Sequence, residues 1–134
     1  MTSRPWAILR DAGIVYGLTF AAGIGMASIG VTLQSSPWTA YLANLLSGAL
    51  GFLASGIRVN SDRVEHLAWV AATLWTCNLL NVALRLQSTA SWIHSGITVI
   101  LMVALGGTLS MMLTPPAPFH RHKRVDGLHK PPVR

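Results

Sequence analysis

The sequence predicts an all-α fold: an integral-membrane four-helix bundle with short loops and both termini in the cytoplasm. Two observations predict it, namely four long apolar segments and an uneven split of the basic residues between the connections. The uncharged apolar segments span about 12–33, 38–57, 66–84 and 92–113. Each has roughly the 20 residues that a helix needs to cross a hydrocarbon core of about 30 Å.

The basic residues predict the orientation of these segments. Threading the segments in order places Arg85 alone on one face of the membrane and the other nine of the ten Lys and Arg residues on the opposite face. The positive-inside rule then predicts cytoplasmic termini and favours a bacterial-type inner membrane. The nine residues are Arg4, Arg10, Arg58, Arg63, Arg121, Lys123, Arg124, Lys130 and Arg134.

Composition limits what the chain can do outside the bilayer. Of its 134 residues, 51% are hydrophobic and only 10% are charged, and the four segments occupy most of the length. Residues 1–113 are therefore expected to form one transmembrane domain without an extramembrane domain. The connections 34–37, 58–65 and 85–91 are too short to build a pocket of their own.

Local signals mark the beginnings of the first two helices. The first apolar segment exceeds the length of a secretory signal core, so we expect a retained helix. Pro5 and Trp6 predict that this helix begins before residue 12, partly in the cytoplasmic interface. Ser36 and Pro37 form an N-cap and first-turn pair for the second helix, and Trp38 beside them is placed as an interfacial anchor.

The third and fourth helices carry comparable signals. Asp62 and Glu65 have the spacing of a capping box, with acidic groups at the positive end of the helix dipole. Ser88 or Ser91 is expected to cap the fourth helix, and the prolines at 115 and 116 are expected to stop it.

Residues 114–134 are predicted to be a disordered, Pro-rich, basic cytoplasmic tail. The tail supplies much of the formal net charge of +6, which favours anionic lipid as its partner and does not favour nucleic acid. His120, His122 and His129 could ligate a metal, but no cysteine or fixed carboxylate accompanies them. We therefore predict a solvated tail and no metal site.

Small residues recur at four-residue spacing in the first two segments. In lipid, helices gain nothing from hydrophobic contact alone, and such runs permit close backbone approach. The runs predict either a tight hairpin between these helices or a face that meets another protomer. The expected helix-packing residues are Gly13, Gly17, Ala21 and Gly25 in the first segment, and Ala43, Ser47, Gly51 and Ser55 in the second.

Polar residues concentrate at the outer ends of the segments. Helix register places them at similar depth, and amides in hydrocarbon must face the bundle interior or a partner. This outer polar cluster either fixes helix register or lines a vestibule in which Arg85 attracts an anion. Its expected members are Asn44, Asn78, Asn81, Arg85 and His94.

Candidates for a cofactor or for catalysis are few. Cys77 is the only cysteine, which excludes an intramolecular disulfide. His66 and His94 lie at opposite ends of their helices, so they cannot share a haem in one protomer, although either could hold a pigment or haem singly. No nucleophile paired with a base is visible, and the apolar segments contain no carboxylate. No enzyme activity and no cofactor are therefore expected.

The pattern favours an accessory, assembly or interaction subunit. The small-residue helix faces would bind another membrane protein or a second copy of the chain within the lipid bilayer. The alternative is an oligomeric channel or carrier for a small, anionic solute, with the outer polar cluster lining its path.

Overall fold

The computed structural model describes residues 5–32, 34–59, 61–85 and 87–114, so the predicted tail lies outside the described residues except for Thr114. Every element in these ranges is a helix. They are α1 (Pro5–Ser28), α2 (Pro37–Ile57), α3 (Arg63–Cys77), α4 (Leu79–Ala83) and α5 (Thr89–Leu113). Three of them, α1, α2 and α5, are long and apolar enough to cross a membrane.

The helix ends agree with the sequence signals in part. α1 begins at Pro5, the early start that was predicted. The Ser88 hydroxyl caps α5 by accepting a hydrogen bond from the amide of Ser91 at 3.1 Å. The predicted capping box of Asp62 and Glu65 is wrong, because Asp62 has a left-handed φ of 53° and its side chain makes no capping hydrogen bond.

The third predicted segment is divided at Asn78. α3 ends at Cys77 and α4 begins at Leu79, so neither helix alone has the length of a membrane span. Asn78 keeps a right-handed helical φ of −65° and ψ of −16°, and its amide donates to the Leu74 carbonyl at 3.1 Å. The two helices therefore follow each other without a change of handedness. The division falls at an asparagine, which is a poor residue for a helix interior because its side chain competes for the hydrogen bonds of nearby backbone groups.

The buried core lies towards one end of the helices. We call this end the base: it contains the first turns of α1 and α3 and the last turns of α2 and α5. No residue of α1 is buried beyond Val15, none of α2 before Gly48, and none of α5 before Val99. α1, α2 and α5 thus pack at the base and separate towards the opposite, open end, where α3 and α5 stay in contact through the stacked rings of Trp75 and Trp92. The core side chains are Ala12, Val15, Phe52, Leu67, Val70, Leu74, Val99 and Met102.

Glycines allow the closest helix contacts. α5 approaches α2 where Gly106 lies against the Ala49 carbonyl, and a Cβ at Gly106 would come within 2.8 Å of the Leu53 amide nitrogen. A Cβ at Gly51 would come within 2.9 Å of the Val15 Cα on α1. Backbone therefore meets backbone at both contacts, which is the packing that membrane helices favour.

We expect Gly106→Ala to lower the free energy of unfolding by about 1 to 3 kcal/mol, because the new methyl group meets backbone that cannot move aside. Gly13→Ala is the matched control, since a Cβ at Gly13 meets nothing within 4 Å. It should be neutral or stabilise α1 by up to about 1 kcal/mol. Thermal unfolding of the purified variants in detergent measures both, and equal stability would contradict the α2 and α5 contact.

Candidate functional site

A buried hydrogen bond between a carboxylate and a histidine joins α1 to α3 at the base. Asp11 is fully buried, and its Oδ2 accepts a hydrogen bond from Nε2 of His66 at 2.9 Å. The His66 side chain is itself buried. An ionised carboxylate only accepts hydrogen bonds, so Nε2 carries the proton in this contact. The bond fixes the rotation of α1 relative to α3, because both partners must face each other.

Two arginines complete the surroundings of the carboxylate. Oδ1 of Asp11 accepts a hydrogen bond from Nε of Arg10 at 2.8 Å, and Nη1 of Arg58 lies 3.9 Å from the same oxygen. Basic groups from α1, the end of α2 and α3 therefore surround one carboxylate. Charge-assisted contacts of this kind offset the desolvation that makes a lone buried carboxylate unstable.

Arg63, the first residue of α3, closes the base on its other side. Its Nη1 donates to the carbonyls of Ser110 at 2.8 Å and Thr114 at 3.0 Å, and its Nε donates to the Val59 carbonyl at 3.1 Å. The last carbonyls of a helix lack partners within it and carry the negative end of its dipole. Arg63 thus ties the start of α3 to the end of α5 and to the loop after α2.

One polar group at this level stands apart. Ser55 is fully buried, and its hydroxyl has no hydrogen-bond partner among the described residues. It lies one turn after Gly51, which contacts Val15, and one turn before Arg58, which approaches Asp11. Helix register therefore places Ser55 on the side of α2 that faces α1, near the level of the carboxylate.

The open end contains a cleft whose wall is mainly apolar but includes many polar side chains. Three adjoining cavities of about 500, 230 and 400 Å³ lie between the separated helices, and Asn44 lines each of them. Hydroxyl and amide groups dominate the polar part of the wall, and Leu74, Val99 and Met102 lie at its deep end. The polar lining residues are Tyr16, Thr19, Thr32, Tyr41, Asn44, Asn78, Asn81, Gln87, Ser91, His94, Ser95 and Thr98.

The cleft brings together most of the predicted outer polar cluster. Asn44, Asn78 and Asn81 line one cavity, where the Asn81 amide donates to the Asn78 Oδ1 at 3.4 Å. His94 lines the largest cavity, and its Nδ1 donates to the Ala90 carbonyl at 2.8 Å. Arg85 is exposed with a φ of 57° and does not line these cavities. The cleft therefore has no arginine, lysine or carboxylate among its described lining residues.

The predicted helix-packing residues are at least half-buried in α2 but exposed in α1. Gly51 and Ser55 are buried in α2, and Ala43 and Ser47 are half-buried. The four predicted positions of α1 are exposed, and a Cβ at any of its glycines meets nothing within 4 Å. α1 contacts α2 instead through Val15, roughly 160° around the helix from Gly13 and Gly17 at 100° per residue. The exposed positions are Gly13, Gly17, Ala21 and Gly25.

Sequence reasoning missed the hydrogen bond at the base because Asp11 precedes the first apolar segment by one residue. That segment was considered free of carboxylates, although α1 extends the helix past Asp11 to Pro5. A signal was present: Asp11 and His66 both stand at the start of segments that run in the same direction, and so at the same level. His66 also has a partner in Asp11, and the described residues contain no cluster of metal ligands.

Comparisons of the chain with family models, with curated proteins and with solved structures found no match. The contacts at the base, the cleft at the open end and the exposed helix faces are therefore the features that bear on function.

We expect Asp11→Ala to lower the free energy of unfolding by about 3 kcal/mol, since it removes the carboxylate on which three basic groups converge. The double variant Asp11→Ala/His66→Ala should lose less than the sum of the two single variants, by about 1 kcal/mol or more. Chemical denaturation in detergent measures the cycle, with Glu65→Ala as the exposed control. Additive effects would show that the two side chains do not interact.

Proposed function

We propose that this chain is a four-helix integral membrane protein that binds another membrane protein, or a second copy of itself, through the exposed glycine face of α1. This glycine face consists of Gly13, Gly17, Ala21 and Gly25. The observation that carries the proposal is a contrast between the glycines of α1 and those of the other helices.

The glycines of α2 and α5 all adjoin neighbouring atoms, whereas those of α1 adjoin none. A glycine in a helix interior is about 1 kcal/mol less favourable than alanine. Close packing compensates for this difference at Gly51 and Gly106, but nothing in the protomer does so on α1. In lipid, an exposed run of small residues is suited to the close approach of another helix. The glycines in contact are Gly48, Gly51, Gly56, Gly96, Gly106 and Gly107.

The arginines support a membrane orientation with both termini in the cytoplasm. Arg10, Arg58 and Arg63 lie at the base, and Arg85 lies at the open end. The positive-inside rule then favours a cytoplasmic base, in a bacterial-type inner membrane. α3 and α4 together form the fourth crossing, because residues 63–83 as a continuous helix would extend about 30 Å.

We expect Gly17→Leu to reduce the cross-linked oligomer, or the co-purifying partner, about tenfold, because the leucine separates the α1 face from its partner. Folding should be unaffected, since open space surrounds Gly17. Ala104→Leu adds the same side chain at an exposed position of α5 and should change neither quantity. Cross-linking in native membranes, followed by mass spectrometry, measures the recovery of the oligomer or partner. Equal recovery from both variants would rule out the α1 face.

A second function, binding of a small solute, is supported by the cleft at the open end. Amides at membrane depth must meet water, a ligand or each other, and Asn44, Asn78 and Asn81 share one wall there. Because Arg85 is not part of that wall, a neutral solute that forms hydrogen bonds suits the cleft better than the anion expected from sequence. Such a channel or carrier would open from the outer side first, since the buried core lies towards the base.

Site-directed labelling tests the cleft and the orientation together. In a Cys77→Ser background, Asn44→Cys should react with a membrane-impermeant maleimide added to intact cells, because the cleft admits water. Ser61→Cys, in the loop at the base, should react only after permeabilisation, and Met102→Cys should react only after unfolding, because Met102 is buried. Labelling of Ser61→Cys in intact cells would reverse the orientation. An unreactive Asn44→Cys would mean that the cleft is dry.

A further inference from the structure

We propose that Arg10 and Arg58 form a site at the base for the phosphate group of an anionic lipid. The inference rests on the proposed orientation, in which the base faces the cytoplasmic headgroup layer. It differs from the diffuse attraction expected of the basic tail, because it names one pair of guanidinium groups from two helices.

The charges around Asp11 do not balance. Both arginines approach the same oxygen of this carboxylate, Arg10 at 2.8 Å and Arg58 at 3.9 Å, while the other oxygen is bound by His66. Every ion pair among the described residues involves Asp11. Two permanently charged arginines therefore share one carboxylate, and an anion from outside the protein would neutralise the excess positive charge.

The two arginines also retain the donors that a phosphate needs. Their side chains are 48% and 49% exposed. Arg10 binds Asp11 through Nε, which leaves its two terminal nitrogens, and Arg58 donates no side-chain hydrogen bond to any described residue. A guanidinium presents its donors as a planar fork that matches phosphate oxygens. Arg63 is a poorer candidate, because carbonyls already occupy its Nε and Nη1.

The height of the site matches a headgroup. Arg58 is the residue that follows α2, and Arg10 shares the Asp11 Oδ1 with it, so both stand at the level where α2 leaves the apolar layer. Trp6, about one turn before Arg10 on α1, is 75% exposed and is the kind of residue that anchors a helix at the interface. Because both guanidiniums lie within 3.9 Å of one oxygen, a single phosphate can reach the pair. Basic pockets between helices on this side of a membrane bind acidic headgroups.

Native mass spectrometry of the full-length protein in mild detergent tests the site, with phosphatidylglycerol and phosphatidylcholine as probes. Arg58→Gln is the decisive variant, because it leaves the hydrogen bonds of Asp11 with Arg10 and His66 in place. We expect it to weaken phosphatidylglycerol retention about fivefold, and Arg58→Lys to restore part of the loss. Arg85→Gln at the open end removes one positive charge far from the base and should not change retention.

A second arm identifies the source of the phosphate. Displacement of the lipid by millimolar inorganic phosphate from wild type but not from Arg58→Gln would support the same site, with soluble phosphate as a ligand. Equal loss in Arg58→Gln and Arg85→Gln, or equal retention of both lipids by wild type, would overturn the proposal. Bound lipid is counted on the single protomer, so the result does not depend on assembly through α1. Labelling of Ser61→Cys tests the orientation in a separate experiment.

Discussion

The contact between Asp11 and His66 is the interaction on which the arrangement of this protein depends. A carboxylate that is fully buried in α1 admits few rotations of that helix, because the charge must meet its partners on α3 and at the end of α2. Once Asp11 faces inward, Val15 packs against Gly51 and the glycine face turns outward. The same rotation brings Arg10 and Arg58 to one oxygen. One polar contact thus decides both the packed and the free surfaces of α1.

The two ends of the bundle differ because their residues offer different contacts. At the base, Gly51 and Gly106 let backbones approach, and Arg63 binds the last carbonyls of α5. Apolar helices in lipid need such contacts, since burial of apolar surface gives no gain there. Towards the open end, asparagines and hydroxyl groups replace the small contact residues. They require space for hydrogen-bonding partners, and the helices separate around the cleft.

The arginine pair lies apart from the other two proposed surfaces, whereas the glycine face of α1 adjoins the cleft. The glycine face of α1 points away from the core, the cleft opens at the end that carries Asn44, and the arginine pair lies at the base. Phe20 and Ile24 line the 400 Å³ cavity and lie within about 20° of Gly13 around α1, so assembly through α1 would also affect that part of the cleft. Lipid at Arg10 and Arg58 would stand beside the first turns of α1, close enough to influence how that helix meets a partner.

The sequence by itself determined the helical class, three of the four predicted apolar spans and the early start of α1, and it predicted a similar depth for Asn44, Asn78 and Asn81, which line one cavity. These follow from length, composition and helix register, which are local quantities. Only the tertiary structure decided that Gly51 packs while Gly17 stays free, because equal spacing does not say which face of a helix its neighbours contact. It also revealed the pairing of Asp11 with His66, since residues far apart in sequence become partners only when two helices share one level and face each other.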